Sequence, residues 1–201
     1  MRKAILALRG ADAVMGGLIE KVGPYKIRYR EPDFETLVKS IVYQQLSGKV
    51  AATIFGRLVA AAGDGRLTPA ATLSLTPLKM RALGLSRQKI GYIRDIAEHT
   101  RSGQADFAAL RKMSDEDVIR VLTSLKGVGV WTAHMFLIFA LRRKDVLPIG
   151  DLGIRAAVKK AYGLEALPTP SEVEQAGEKW RPYRTVASWY LWRSQEPNAN
   201  L

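Results

Sequence analysis

Apolar residues recur along this chain at the spacing of a helix and almost nowhere at that of a strand. Phe34, Leu37, Val38, Ile41 and Val42 make one stripe; Ile90, Ile93, Ile96 and Ala97 make a second; Val118, Val121, Leu122 and Leu125 make a third. Positions three and four apart share a helix face, so each stripe predicts a helix with one buried side. Start signals agree. Ser86 precedes a predicted helix running to about His99, Ser114 with Asp117 three residues on precedes another, and Asp151 stands where a cap would stand before Leu152 to Tyr162. A further helix is predicted from Gly48 to Ala62, and breaks fall at Gly63-Asp64-Gly65, Thr76-Pro77, Gly103, Leu147-Pro148 and Pro168-Thr169-Pro170. Only Tyr25 to Arg30 alternates with period two, and this short stretch reads as an extended connector. The expected fold class is all-α.

The chain has 201 residues, 47% of them apolar, enough for a core held without staples in one domain or in two small lobes sharing a cleft. The loop Arg142 to Gly150 suggests the division: one lobe over 35–140, the other formed by 1–34 with 141–201. There is no cysteine, which excludes disulfides, thiolate zinc sites and an iron–sulfur cluster, and two histidines, His99 and His134, cannot build a metal site alone. Arg9 cuts the apolar run after Arg2-Lys3 far short of a signal peptide's core. The longest apolar stretch, Met135 to Leu141, is seven residues, against roughly 20 needed to cross a bilayer. The expectation is a protein that is neither secreted nor membrane-bound, working as a monomer in the cytoplasm or nucleoid, or in a nucleus.

With 31 Lys and Arg against 19 Asp and Glu, the net charge is +12, and a polyanion is the natural partner. The basic residues come in short groups (Arg2-Lys3, Arg111-Lys112, Arg142-Arg143-Lys144, Lys159-Lys160) and form no long tract, which argues for a folded positive face over a disordered tail. One segment offers a place for a phosphate. Residues 125–133 read Leu-Lys-Gly-Val-Gly-Val-Trp-Thr-Ala, a Gly-x-Gly turn opening into an apolar helix. Glycines let the backbone turn with positive φ and approach a ligand closely, and the helix start presents free N–H groups and a positive dipole end. By itself such a turn is also the ordinary link between two packed helices.

The longer string resembles the helix-hairpin-helix of the DNA glycosylase superfamily, in which Leu-x-Gly-x-Gly-x-x-Thr-Ala is followed about twenty residues later by an essential Asp. The likeness runs from about residue 34 to 194 and is nearest to the 3-methyladenine DNA glycosylase II branch. It implies two helical lobes with an interlobe catalytic cleft, and double-stranded DNA containing alkylated bases as partner. The Asp falls at Asp151, twenty positions after Trp131, with the roles of stabilising positive charge on the sugar and helping a water attack. Many members carry two adjacent acids there; here the first is Gly150, which leaves Asp151. Asp145, beside Arg142, Arg143 and Lys144, reads as a structural or salt-bridged residue.

Further roles follow from the resemblance. Trp131 occupies the position where lyase-competent relatives place a lysine that forms a Schiff base, so water is the implied nucleophile. Trp131, Met135 and Tyr183 would line the base pocket. Leu46, in the turn Gln44-Gln45-Leu46-Ser47, would fill the gap left by a flipped nucleotide, with Gln45 and Ser47 beside it. Lys89, Lys126, the Gly127 and Gly129 amides and Thr132 would touch phosphates. Carbonyls of Thr123, Leu125 and Val128 would hold a sodium or potassium ion at the hairpin, and catalysis would need no cofactor. Two rival readings stand beside this one: a bifunctional oxidative-damage glycosylase/lyase, disfavoured by Trp131 and the missing cysteines, and a non-enzymatic hairpin module that binds DNA without needing Asp151.

Overall fold

The computed structural model describes residues 1–63 and 65–195; Asp64, within the predicted break Gly63-Asp64-Gly65, and residues 196–201 lie outside the described residues. Among the described residues there are helices and no strands. They run α1 (Arg2–Ala11), α2 (Ala13–Val22), α3 (Phe34–Tyr43), α4 (Gly48–Ala61), α5 (Pro69–Ser74), α6 (Pro77–Ala82), α7 (Arg87–Arg101), α8 (Phe107–Leu110), α9 (Asp115–Thr123), α10 (Val130–Phe139), α11 (Leu152–Tyr162), α12 (Pro170–Gly177) and α13 (Arg184–Gln195), with a 3₁₀ turn at Glu178–Trp180. Tyr25 to Arg30 has no regular element. None of these helices is long and apolar enough to cross a membrane.

Two compact units divide the chain, Met1–Tyr29 with Leu137–Leu201 and Arg30–Phe136. In the Arg30–Phe136 unit, α7 is the helix on which α3, α5 and α6 pack. Its stripe Ile90, Ile93, Ile96 and Ala97 is buried, as is the α3 stripe from Phe34 to Val42. Removing each such side chain from water contributes about 1.5–3 kcal/mol, so these two faces are a large part of what holds the unit together. The start signals act as caps: Ser86 accepts from the Lys89 amide, and Ser114 from the Asp117 amide. Thr76-Pro77 and Thr169-Pro170 are also helix starts, each with Thr as cap and Pro in the first turn, where its missing N–H costs nothing.

The other unit packs α13 against α11 and α2. Trp180 and Tyr190 are wholly buried in its core, with Met15, Leu8, Ile154 and Leu191. Asp12 is charged and yet only 5% exposed. It caps α2 through the amides of Val14 and Met15, and accepts from the Trp180 indole at 2.8 Å and from the Tyr162 hydroxyl, with the Lys179 ammonium at 3.2 Å. Burial alone would raise its pKa, but these donors outweigh burial and hold the carboxyl below its ordinary value.

Candidate functional site

The Arg30–Phe136 unit builds the hairpin from three sides. The turn after α9 is closed by the Val128 amide donating to the Leu125 carbonyl at 3.2 Å, and α10 begins with the Ala133 amide on the Gly129 carbonyl. The side chain of Asp95, buried on α7, accepts from the Lys126 amide at 3.0 Å and pairs with the Lys126 ammonium at 3.0 Å. Burial would raise the Asp95 pKa; the hydrogen bonds from Lys126, with the nearby charges of His99 and Lys126, lower it overall. Lys126 itself remains largely exposed, its charge partly balanced by Asp95.

The two glycines of the turn do different things. Gly127 takes φ +82° and lies so close over the Tyr92 ring that a Cβ would fall inside it, so both conformation and packing require glycine. Gly129 has no positive φ, and a Cβ there would meet nothing within 4 Å. Open space over a backbone at a helix start is what a phosphate oxygen needs. Thr132, expected at a phosphate through its hydroxyl or its amide, is buried at 5% exposure. Trp131 is 52% exposed, and Met135, one turn on along the same face, is half-buried.

Between α3 and α4 the turn is unusual in its backbone. Gln45 is not glycine and still has φ +56°, a left-handed conformation that L residues adopt at a cost of order 1 kcal/mol. The next residue, Leu46, is left 38% exposed. Ser47 leads into α4 without a side-chain cap bond. Two contacts hold the turn in place. The Lys89 ammonium donates to the carbonyls of Val42 and Gln44, both at 2.7 Å, and the Gln44 side-chain amide donates to the Gly127 carbonyl at 3.1 Å. Lys89, which the resemblance would bring to a phosphate, here directs its charge at carbonyls at the end of α3, where the helix dipole is negative. Partial burial lowers its pKa.

In the other unit, Asp151 caps α11: its Oδ1 accepts from the Ile154 amide at 2.8 Å. The same oxygen accepts from the Trp192 indole N–H at 2.9 Å, and Phe139 stacks on the Trp192 ring with centroids 6.1 Å apart. Gly153 makes room for this, because a Cβ there would lie 3.1 Å from Asp151 Oδ1 and 3.3 Å from the indole. Trp192 is the site residue that sequence reasoning missed, since the C-terminal aromatics read mostly as core. Tyr183 is half-buried and packs on the core of its own unit. Asp145 is a salt-bridged residue, as expected, held from far along the chain by Arg184 at 2.8 Å and 3.1 Å and by Arg181 at 2.8 Å.

A model of the family described as HhH-GPD superfamily base excision DNA repair protein matches residues 38–182. The chain belongs to that family. The match takes in the Leu46 turn, the hairpin and Asp151, and it stops before Trp192. Among relatives of this HhH-GPD chain, DNA-3-methyladenine glycosylase 1 of Schizosaccharomyces pombe is 36% identical over 202 residues, covering 98% of this chain and 88% of its own length. A crystal structure of DNA-3-methyladenine glycosidase from Bacillus halodurans is similar with TM-score 0.89 at 36% identity, over 96% of this chain and 89% of that one. The Schizosaccharomyces pombe 3-methyladenine DNA glycosylase in complex with abasic DNA has TM-score 0.85 at 35% identity, over 98% of this chain and all (100%) of that one.

Proposed function

We propose that this HhH-GPD protein is a monofunctional DNA N-glycosylase that flips alkylated bases from duplex DNA, chiefly 3-methyladenine with 7-methylguanine and ethenoadenine as further candidates, and hydrolyses the glycosidic bond in base excision repair. The observation that carries the reading is Asp151, a carboxylate held at the start of α11 by two donors to one oxygen, at the place where the family resemblance expects the essential acid. The relatives, named for excision of 3-methyladenine, support the substrate class.

Methylation puts positive charge on the purine, so the base is already a good leaving group. As the bond from C1′ to the base nitrogen breaks, the electron pair leaves with the base, which departs neutral, and positive charge moves to the sugar. The Asp151 carboxylate balances that charge, orients the attacking water and takes the proton that the water gives up as its oxygen bonds C1′. The exposed indole of Trp131 offers a π-face to a cationic base. It cannot form the imine that leads to strand scission. Leu46 would fill the vacated stack, and the hairpin amides would grip the backbone without selecting a base.

A monovalent cation fits the hairpin by donor chemistry. Carbonyls of Thr123, Leu125 and Val128 are neutral hard oxygens, and Thr123 ends α9, where the helix dipole favours a cation. The Leu125 carbonyl accepts from Val128, which leaves its second lone pair for such an ion. When bound, the cation would add positive charge beside a DNA phosphate.

An end-labelled duplex carrying one alkylated purine tests the hydrolytic reading. Wild-type protein should release the base and leave a backbone that breaks only on later alkali treatment, and borohydride should trap no covalent complex. Strand breaks without alkali, together with robust trapping, would move the protein to the lyase class, with Lys126 the first nucleophile to examine.

A further inference from the structure

On α7 three residues depart from the apolar stripe at steps of three: Lys89, Tyr92 and Asp95. That spacing puts them on one side of the helix, and each touches a different part of the backbone that would meet DNA. Lys89 holds the Leu46 turn through the Val42 and Gln44 carbonyls; Tyr92 lies under Gly127; Asp95 holds Lys126. Gln44 then closes the circuit by donating to the Gly127 carbonyl, so turn and hairpin are bound to one helix and to each other. Helix α7 is itself held by α3, α5 and α6, which makes it a stiff support.

We propose that Lys89 and Asp95 are positioning residues that lock the Leu46 turn and the hairpin into one rigid reader, so that seating the hairpin on the backbone drives Leu46 into the base stack. The proposal rests on the functional reading above, in which the hairpin grips and Leu46 wedges. In a reader of this kind, phosphate contacts made at the hairpin are transmitted to base extrusion. Loosening the support leaves the grip intact and uncouples the wedge.

A double-mutant cycle on the full chain tests it. The readout is fluorescence anisotropy with two duplexes, one intact and one carrying a tetrahydrofuran abasic analogue, because wedge insertion favours the second. Lys89→Met should cut the preference for the abasic duplex about tenfold while leaving the slope of log affinity against log salt unchanged. Leu46→Ala should cut it by a similar factor. Combined, the two should be no worse than Leu46→Ala alone to within about twofold, because Lys89 acts through Leu46. Asp95→Asn, which keeps an acceptor for the Lys126 amide, should show the same pattern more weakly and decides the matter if Lys89→Met fails to fold. Lys89→Arg, whose guanidinium can donate to both carbonyls, should retain the preference.

Uniform weakening on both duplexes with a salt slope reduced by about one would mean that Lys89 touches a phosphate, and would overturn the proposal. Full additivity with Leu46→Ala would overturn it too, as would a wild-type protein with no preference for the abasic duplex. If wild-type protein releases no alkylated base but the cycle behaves as described, the reader stands and the excision reading falls.

Discussion

Asp151→Asn should bind duplex DNA within about tenfold of wild type and release alkylated base at least about a hundredfold more slowly. Asparagine makes this a clean comparison. Its carbonyl oxygen can still accept from the Ile154 amide and the Trp192 indole, so the cap on α11 and the contact that orients the side chain survive while the charge is removed. A neutral amide cannot balance an oxocarbenium ion, so the loss should fall on the chemical step, measured as a single-turnover rate at saturating protein. Asp151→Ala would lose the cap as well, at about 1 kcal/mol of stability. Near-normal turnover by Asp151→Asn would end the assignment of this residue. Asp145 serves as the contrast: two arginines hold it, and its loss should show as lowered stability in a protein that still turns over.

Asp12→Ala should cost about 3–5 kcal/mol of stability, because it strips a buried charge from partners that stay behind. The variant leaves the Trp180 indole and the Tyr162 hydroxyl without their acceptor, removes the cap of α2, and strands the Lys179 ammonium. For a chain of this size the melting temperature should fall by roughly 10 °C, read by calorimetry. Acid should act on the same group. Asp12 and Asp95 both have pKa values below the ordinary 3.8 when folded, so the unfolded chain binds protons first as pH falls. Their stabilisation is therefore complete above about pH 4 and drains away as pH falls through the folded pKa values. The wild-type melting temperature should drop in that window, and the Asp12→Ala curve should be flatter there. A loss under about 1 kcal/mol would show that the unit does not depend on this network.

What could be read beforehand was whatever repeats or has a local signature. The stripes on α3, α7 and α9 were visible because each buries one face, and the caps of α7 and α9 because Ser86 and Ser114 precede them. Helices α5, α6 and α8 were not, since four to six residues cannot display a period of 3.6, and Pro77 looked like a break when it is the first residue of a helix. Asp151 stands out in the sequence only through the family resemblance, which expects an acid about twenty residues after the hairpin. Trp192 does not, because it stands 41 residues from the acid it touches, in a helix whose apolar residues run all round. Lys89 reads in the sequence as a phosphate contact, and its two carbonyl partners, 45 and 47 residues away, have no local signature. The left-handed Gln45 has no sequence mark, because nothing in its side chain calls for positive φ.

A glycosylase of this kind removes alkylated bases and leaves the sugar-phosphate backbone whole. That outcome is tested most directly by incubating wild-type protein with methylated genomic DNA, identifying the released bases by mass spectrometry, and counting abasic sites and strand breaks in the same DNA. The account predicts free 3-methyladenine, an equal number of abasic sites and no breaks before alkali, with Asp151→Asn releasing almost none. DNA that is bound but yields no free base with wild-type protein would contradict it.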